Sequence, residues 1–242
     1  MGSTRLPGKS MLDLAGAPLL ARILERVRRC VRPHAVVVAT TAKSEDDVLA
    51  ELAVRGGVAA FRGAESDLLD RYYRAGVEYG ADLVVRLPAD NATPEPGEID
   101  RIIDFHERSS FAFTTNLAQA FGNGYPDGIG AEVMDFAALE AAWRSSTDPR
   151  KREHVHLNFF DYVSQTAAEP DRYPVGTIAC PPEFARPDLV LDVNTRAQYE
   201  FMVELYNYLY PRNPTFHITE IIDWYDNVYR RNTGAAIGHV GR

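Results

Sequence analysis

The sequence predicts one α/β domain whose central sheet is mostly parallel. Short apolar runs alternate with longer amphipathic stretches, which is the pattern of strand–helix units around such a sheet. The 242 residues, 45% of them hydrophobic and 25% charged, are enough for one sizeable buried core. No internal repeat, low-complexity tract or linker interrupts the alternation, so we expect a single domain over residues 1–242.

The first half of the chain supplies most of the expected sheet. Apolar side chains recur on one helical face of residues 18–29, which predicts a helix. The continuous apolar run AVVVAT at 35–40 predicts a strand buried on both faces. Ser44 is expected to cap the next helix, and Gly56-Gly57 to end it. The same criteria predict five further elements, which are strands over 58–61, 83–87 and 111–115 and helices over 66–79 and 96–108.

The pattern changes after residue 116. Four glycines and one proline crowd residues 122–130 and predict a loop. Beyond this loop we expect strands over 131–134 and up to 192, and helices over 136–144, 153–165, 195–210 and 219–230. Residues 211–242 are then a helical C-terminal extension. A ligand-holding loop of an open α/β sheet follows a strand, whereas this chain starts at such a loop, so we expect the first strand of the fold to be missing.

Composition excludes several classes of protein. The net charge of −8 argues against a nucleic-acid binder. Cys30 and Cys180 lie far apart and have no partner at metal-binding spacing, which indicates reduced thiols. We find no signal peptide and no apolar run near 18 residues, so we expect a cytoplasmic protein without a membrane span.

The opening motif MGSTRLPGK has the chemistry of a triphosphate-binding loop. Gly2 lets the backbone approach an anion, and Ser3 and Thr4 offer hydroxyl and N–H groups. Arg5 can hold phosphate oxygens with two hydrogen bonds, and Lys9 adds a point charge. Gly2 and Gly8 lie one residue too far apart for a P-loop. A basic N-terminus without a ligand is the alternative.

Two acids follow apolar strands, at the crevice where open sheets bind ligands. Asp90 comes after LVVRLPA and Asp192 after LVL, and together they could hold one Mg²⁺, which favours one or two carboxylates plus substrate phosphates. Alternatively, Asp90 caps a turn with the help of Asn91. Asp192 could likewise be a structural acid before a helix that Asn194 or Thr195 caps.

The remaining charged candidates lie in three further motifs. Arg71 belongs to the first turns of a predicted helix, where it is either a ligand contact or surface charge. The glycine-rich motif over 125–133 carries Asp127 and Glu132, and the cluster from Arg152 to His154 follows later. Arg152 suits a carboxylate or phosphate group of an acceptor. A lone histidine such as His154 is more often structural than catalytic.

Seven stretches of the chain occur in the order typical of a known family. They are MGSTRLPGK, VATT followed by EDDVLAELA, FRGAESDLLDRYY, VVRLPAD, YPDGIGAEV, REHV and LDVNT. On these motifs, the chain resembles the cytidylyltransferases that include CMP-sugar-acid synthetases, and is most similar to their spore-coat polysaccharide biosynthesis branch. It departs from the family's usual Gly-Asp-Cys-Pro at Ala89-Asp90-Asn91-Ala92, and it lacks a strand ending in Ala-Arg before the opening motif.

The resemblance implies a three-layer, nucleotide-diphospho-sugar-transferase-like Rossmann fold. It also implies that CMP moves from CTP to a small anionic acceptor, either a sugar acid or a phosphonate or phosphate ester, with release of pyrophosphate. The implied roles are nucleotide binding by Ser3, Arg5, Lys9 and Arg71, Mg²⁺ coordination by Asp90 and Asp192, and acceptor binding by Asp127, Glu132, Arg152 and His154.

Two other functions fit the same motifs. One is an inactive homologue that binds nucleotide or glycan. The other is a glycosyltransferase with a nucleotide-sugar donor, although the chain lacks the Asp-x-Asp metal motif of that class around Asp90. The aromatic-rich end of the chain leaves both a homodimer contact and core packing open.

Overall fold

The computed structural model describes residues 5–233. In that range the strands and α-helices follow in chain order as β1 (Asp13–Leu14), β2 (Ala17–Pro18), α1 (Leu19–Val27), β3 (Val37–Thr41), α2 (Asp47–Arg55), β4 (Ala59–Gly63), α3 (Leu68–Glu78), β5 (Leu83–Arg86), α4 (Pro96–Glu107), β6 (Phe113–Thr115), β7 (Glu132–Asp135), α5 (Phe136–Ser145), α6 (Pro149–Glu153), β8 (Phe160–Asp161), β9 (Thr166–Ala167), β10 (Val175–Thr177), α7 (Arg196–Leu209), α8 (Ile218–Trp224) and α9 (Arg230–Thr233). A π-helical segment, Tyr225–Tyr229, joins the last two helices.

The central sheet has four strands in the order β10–β6–β7–β5. β10 pairs parallel with β6, whereas β7 runs antiparallel to both β6 and β5. Three strands therefore share one direction, as the sequence predicts, and β7 is the exception. A second sheet consists of the parallel pair β3–β4, and β1–β2 and β8–β9 form two short hairpins.

Helices cover both faces of the central sheet. On β5 and β7, Val85 and Val133 pack into one apolar cluster together with residues of α1, α4, α7 and α8. The neighbouring Val84 and Met134 pack into another cluster with residues of α3 and α5. Successive strand residues point to opposite faces, so these two clusters establish the expected three layers.

The C-terminal helices belong to the main core. Phe216, Ile221 and Trp224 are buried in the same cluster as residues of α7. Thr195 caps α7 through a reciprocal capping box with Gln198. Of the two caps that the sequence offered, Asn194 and Thr195, the second is therefore the one used. No helix within residues 5–233 is long and apolar enough to cross a membrane.

Three local predictions are wrong. Ser44 does not cap α2, because it opens a 3-10 turn and α2 begins only at Asp47. The strand near 35–40 is half-buried except at Thr40, since among residues 5–233 it pairs with β4 alone. The segment 190–192 forms isolated bridges and not a strand.

The expected helix over 153–165 is also wrong. The short helix α6 ends at Glu153, where the expected helix begins. The Asp148 carboxylate caps the start of α6 by accepting from the Arg150 amide at 2.8 Å. The aromatic run that follows enters the β8–β9 hairpin, in which Asp161 accepts from the Val163 amide at 2.8 Å. Gln165 closes the hairpin in the left-handed region at φ 57°. Strand β10 and the β1–β2 hairpin have no counterpart in the sequence prediction.

Candidate active site

Three chain segments meet beyond the carboxyl end of β5. They are the N-terminal turn with Lys9, the loop that follows β5 with Asp90, and the segment before α7 from Asp192 to Asn194. The Val193 amide donates to the Asp90 carbonyl at 2.9 Å, and a β-bridge joins Asn91 to Asp192. Backbone contacts therefore fix the two acids that the sequence places in different parts of the chain next to each other.

Lys9 lies between these segments. Its Nζ is 2.8 Å from Asp90 Oδ2, 3.1 Å from Asn194 Oδ1 and 3.1 Å from the Val193 carbonyl. Arg5 donates to the same Asn194 oxygen at 3.0 Å. Gly8, at φ 69°, provides the left-handed turn before Lys9. We call Arg5, Lys9, Asp90, Asp192 and Asn194 the Lys9 cluster.

Asp192 is the acid with the most perturbed environment in this cluster. Burial, followed by repulsion from the carboxylates of Asp127 and Asp90, raises its pKa to about 6. The side-chain amide of Asn194 donates to one of its oxygens, and Gln198 Nε2 donates to the other at 3.2 Å. Two other carboxylates are thus close enough to repel that of Asp192, which is an arrangement that a bound cation would relieve.

Asp127 reaches this region through backbone contacts. Its amide donates to the Leu189 carbonyl at 2.9 Å, and its carbonyl accepts from Leu191 at 3.0 Å. The adjacent Gly128 has φ 94°, and a Cβ there would lie 2.7 Å from the Leu191 carbonyl carbon. Only glycine fits such a close approach. The structure therefore brings Asp127 to Asp192.

The donor set fits Mg²⁺. Asp90 and Asp192 offer hard carboxylate oxygens, and Mg²⁺ commonly takes one or two of these plus oxygens of substrate phosphates and water. Within residues 5–233, no group of three or more histidine, cysteine or acidic side chains is arranged to hold a metal alone. The fit therefore depends on phosphate oxygens completing the coordination.

Arg71 lies at the β3–β4 pair. Its guanidinium donates at 3.4 Å to the carbonyls of Ala39 and Glu65, and its aliphatic stem packs on Gly63. Burial lowers its pKa. Its hydrogen bonds therefore place its guanidinium beside β3 and the segment that follows β4. Gly2, Ser3 and Thr4, the other predicted nucleotide contacts, lie outside the described residues.

Glu132, expected at the acceptor, has its partners within the protein. It is fully buried and lies directly opposite Arg86 and Thr115 on the neighbouring strands. Its Oε2 is 2.7 Å from Arg86 Nη1, and its Oε1 accepts from the Tyr162 hydroxyl at 2.9 Å. Because both oxygens are engaged, Glu132 holds Arg86 and Tyr162 in place.

Arg152 also differs from expectation. Its Nε and Nη2 bind Asp67 Oδ2, each at 2.7 Å, and its Nη1 donates to the carbonyls of Trp143 and Ser146. These contacts occupy the guanidinium within the protein, so Arg152 joins α3, α5 and α6. His154 is exposed, with its ring 6.0 Å from that of His156.

Sequence reasoning did not bring Arg86, His156 and Tyr162 together with Glu132. The sequence does show Arg86 as a charged residue at the end of an apolar run, which is a signal of a site at a strand end. His156 and Tyr162 lie in the segment wrongly expected to be a helix, so nothing in the sequence indicates that their rings are neighbours. Asn194, which binds both cations of the Lys9 cluster, was considered only as a helix cap.

Comparison with known proteins places the chain in a family. A family model described as "Cytidylyltransferase" matches residues 1–166. The spore coat polysaccharide biosynthesis protein SpsF of Bacillus subtilis is 30% identical over 98% of this chain and 93% of its own. A 3-deoxy-manno-octulosonate cytidylyltransferase of Anaeromyxobacter dehalogenans is 35% identical, over 42% of each chain.

A solved structure extends the likeness to the fold. A cytidylyltransferase from Leptospira borgpetersenii superposes with a TM-score of 0.84 at 27% identity, over 99% of this chain and 95% of that one. The Rossmann-like fold class predicted from the sequence is thereby confirmed, as is the family resemblance. Since the family match covers more than half of the 242 residues, the chain belongs to the cytidylyltransferase family.

Proposed function

We propose that this protein transfers CMP from CTP to a small anionic acceptor and releases pyrophosphate. The observation that carries the proposal is the convergence of Lys9, Asp90 and Asp192 beyond one strand end. Ligands of open α/β sheets bind in this location. Membership of the family and a relative named for cytidylyl transfer to 3-deoxy-manno-octulosonate support the same reaction class.

In this reaction an acceptor oxygen attacks the α-phosphorus of CTP in line. The new bond is oxygen to α-phosphorus, and the bond to the β-phosphate breaks, so pyrophosphate leaves. Such transfers depend mainly on positioning and on charge neutralisation. Lys9 and Arg5 supply cations that stabilise the leaving pyrophosphate. Asp90 and Asp192 would hold Mg²⁺, which when bound neutralises phosphate charge.

The proposal has further parts. Gly2, Ser3, Thr4 and Arg71 are proposed nucleotide contacts, and a role in polysaccharide biosynthesis follows the name of the SpsF relative. We also propose a cytoplasmic location and a possible homodimer. Among acceptors, sugar acids come first and small phosphonates or phosphate esters second.

Measuring pyrophosphate release tests the function. We expect release with CTP, Mg²⁺ and a suitable acceptor, and a loss of on the order of 100-fold or more in Asp90→Asn. Asp171→Asn, at an exposed acid outside the cluster, is the matched control and should keep full activity. An Asp90→Asn protein as active as the control would refute the assignment. Binding of CTP without turnover would favour an inactive homologue. Preference for a nucleotide-sugar as donor would favour a glycosyltransferase.

A further inference from the structure

One side chain contacts three of the other four members of the Lys9 cluster. Asn194 directly precedes the residue that caps α7, and it is half-buried. Its Oδ1 accepts from Lys9 Nζ at 3.1 Å and from Arg5 Nη2 at 3.0 Å. Its Nδ2 donates to Asp192 Oδ2. The carboxamide of Asn194 therefore links both cations of the cluster to one of its acids.

These contacts require a side chain that accepts and donates hydrogen bonds at once. The carbonyl oxygen of a carboxamide has two lone pairs, so it can accept from two donors, and the amide nitrogen donates. An ionised carboxylate accepts only, and an aliphatic side chain does neither. The residue type at position 194 is thus matched to cations on one side and to an acid on the other.

The backbone of Asn194, and not its side chain, supports the fold. Its N–H donates to Gln198 Oε1 at 2.9 Å, and the capping box of α7 consists of Thr195 and Gln198. Among residues 5–233, the hydrogen bonds of the Asn194 side chain all go to the Lys9 cluster. A substitution at this position therefore changes the cluster and leaves the cap of α7 in place.

Asn194 also determines the charge of the cluster, because it adds none. The cluster holds two cations and two acids, and Lys9 Nζ is 2.8 Å from Asp90 Oδ2. A third acid among them would attract a divalent cation more strongly and would repel a polyphosphate. An amide holds the two cations in position without this repulsion.

From these contacts we propose that Asn194 is a positioning residue of the nucleotide site. Its uncharged carboxamide holds Arg5 and Lys9 beside Asp192, so that the cations and the carboxylate meet one polyphosphate together. Asn194 acts on the ligand through these three side chains. The inference rests on the proposed function, because that function makes a nucleoside triphosphate the anion that the two cations bind.

Two substitutions separate the hydrogen bonds of Asn194 from its lack of charge. Asn194→Leu keeps a branched side chain and removes both the donor and the acceptor. Asn194→Asp keeps the shape and an accepting oxygen, removes the donor and adds a negative charge. Asn227 is the matched control, because its exposed amide donates to Asp223 at 2.7 Å and accepts from Arg231 at 3.0 Å outside the cluster. The same two changes are made there.

Two dissociation constants, both measured by calorimetry, are the readouts. Asn194→Leu should raise the Kd for CTP with Mg²⁺ about tenfold, because the cations lose the partner that holds them. Asn194→Asp should lower the Kd for Mn²⁺ without nucleotide about tenfold, because it adds a hard carboxylate oxygen. Both Asn227 variants should keep the wild-type constants. Melting temperatures establish that the variants are folded, and a merely structural asparagine would alter these temperatures without tightening Mn²⁺ binding.

The outcomes separate this inference from the proposed function. A folded Asn194→Leu protein with the wild-type Kd for CTP overturns the inference, and so does a folded Asn194→Asp protein with the wild-type Kd for Mn²⁺. Either variant alone suffices for the test. A wild type that binds no CTP overturns the proposed function and the inference together. A wild type that binds CTP and releases no pyrophosphate overturns the transferase function alone, since the two dissociation constants still decide the role of Asn194.

Discussion

At the scale of single residues, Lys9 and His156 have opposite electrostatic surroundings. The Lys9 ammonium is held by a carboxylate, an amide oxygen and a carbonyl, so its charge is fixed in position. The imidazole of His156 is kept neutral by burial. Lys9 is therefore a charge fixed in position, whereas His156 is an uncharged ring. Each leads to a prediction that can be tested by one substitution.

Replacing Lys9 should impair turnover more than folding. Lys9→Met keeps the length of the side chain and removes the charge, so pyrophosphate release should fall on the order of 100-fold. Rates of pyrophosphate release under saturating CTP measure the effect. Lys151→Met is the matched control, and we expect it to retain wild-type rates. An equal rate in Lys9→Met and the control would show that the ammonium does not assist the leaving group.

His156 should make stability depend on pH. Because burial lowers its pKa in the folded state, the unfolded chain takes up a proton as the pH falls below about 6.5 while the native state does not. The free energy of unfolding should therefore decrease as the pH falls through this range. Urea unfolding at about pH 7.5 and 5.5 should show a smaller decrease in His156→Phe than in the wild type. His34→Phe should behave as the wild type, and identical pH dependence in all three proteins would contradict the account.

At the scale of elements, side chains at helix and strand ends fix how the layers meet. Arg152 joins the residue that caps α3 to the end of α5, and Asn158 donates to a carbonyl of α6. The Arg86–Glu132 pair depends on the register of β5 against the antiparallel β7. These contacts explain why charged residues that resemble ligand contacts in the sequence serve as structural ties in the fold.

The structural role of Arg152 predicts a stability defect without a kinetic one. Arg152→Met removes the bonds to Asp67 and to two carbonyls, so the free energy of unfolding should fall by about 1–3 kcal/mol. Its kcat/KM for CTP and acceptor should remain that of the wild type. Arg144→Met, on the exposed face of α5, should change stability by less than about 0.5 kcal/mol. A tenfold rise in acceptor KM at unchanged stability would restore the sequence-based assignment to the acceptor pocket.

At the scale of the whole molecule, a buried ion pair ties the ends of the domain together. Arg26 of α1 donates to the carbonyls of Pro94 and Phe216 and lies 3.4 Å from Glu95. Glu95 also accepts from the Ile218 amide and contacts His217 Nδ1 at 2.7 Å. The first helix, the start of α4 and the C-terminal helices are thereby joined at one point of the core.

Breaking this pair should destabilise the entire domain. Glu95→Gln leaves the buried Arg26 charge without its partner, so we expect a loss of about 3–5 kcal/mol in the free energy of unfolding. Thermal and urea unfolding followed by both fluorescence and circular dichroism should shift together. Glu200→Gln, in an exposed pair on α7, is the control. A large loss confined to one probe would mean that the C-terminal helices unfold separately.

Much of the fold could be predicted, because helical periodicity and apolar runs are local properties. The positions of Asp90 and Asp192 also follow from local sequence, since each acid comes after an apolar run. The pairing of Arg86 with Glu132 could not be predicted, because it depends on the antiparallel direction of β7. The β8–β9 hairpin was missed since its aromatic residues suit a helix and a strand alike, and the choice is made by tertiary packing.

The contacts of Lys9 have a consequence for how the protein can be divided. Its partners Asp90 and Asn194 lie 81 and 185 positions further along the chain. A proteolytic fragment that ends before residue 194 would lack half of this junction, whatever secondary structure it retains. Two fragments cut in the exposed turn near Val163 should thus be inert apart and regain turnover only on reassociation, which makes catalysis a direct reporter of long-range assembly.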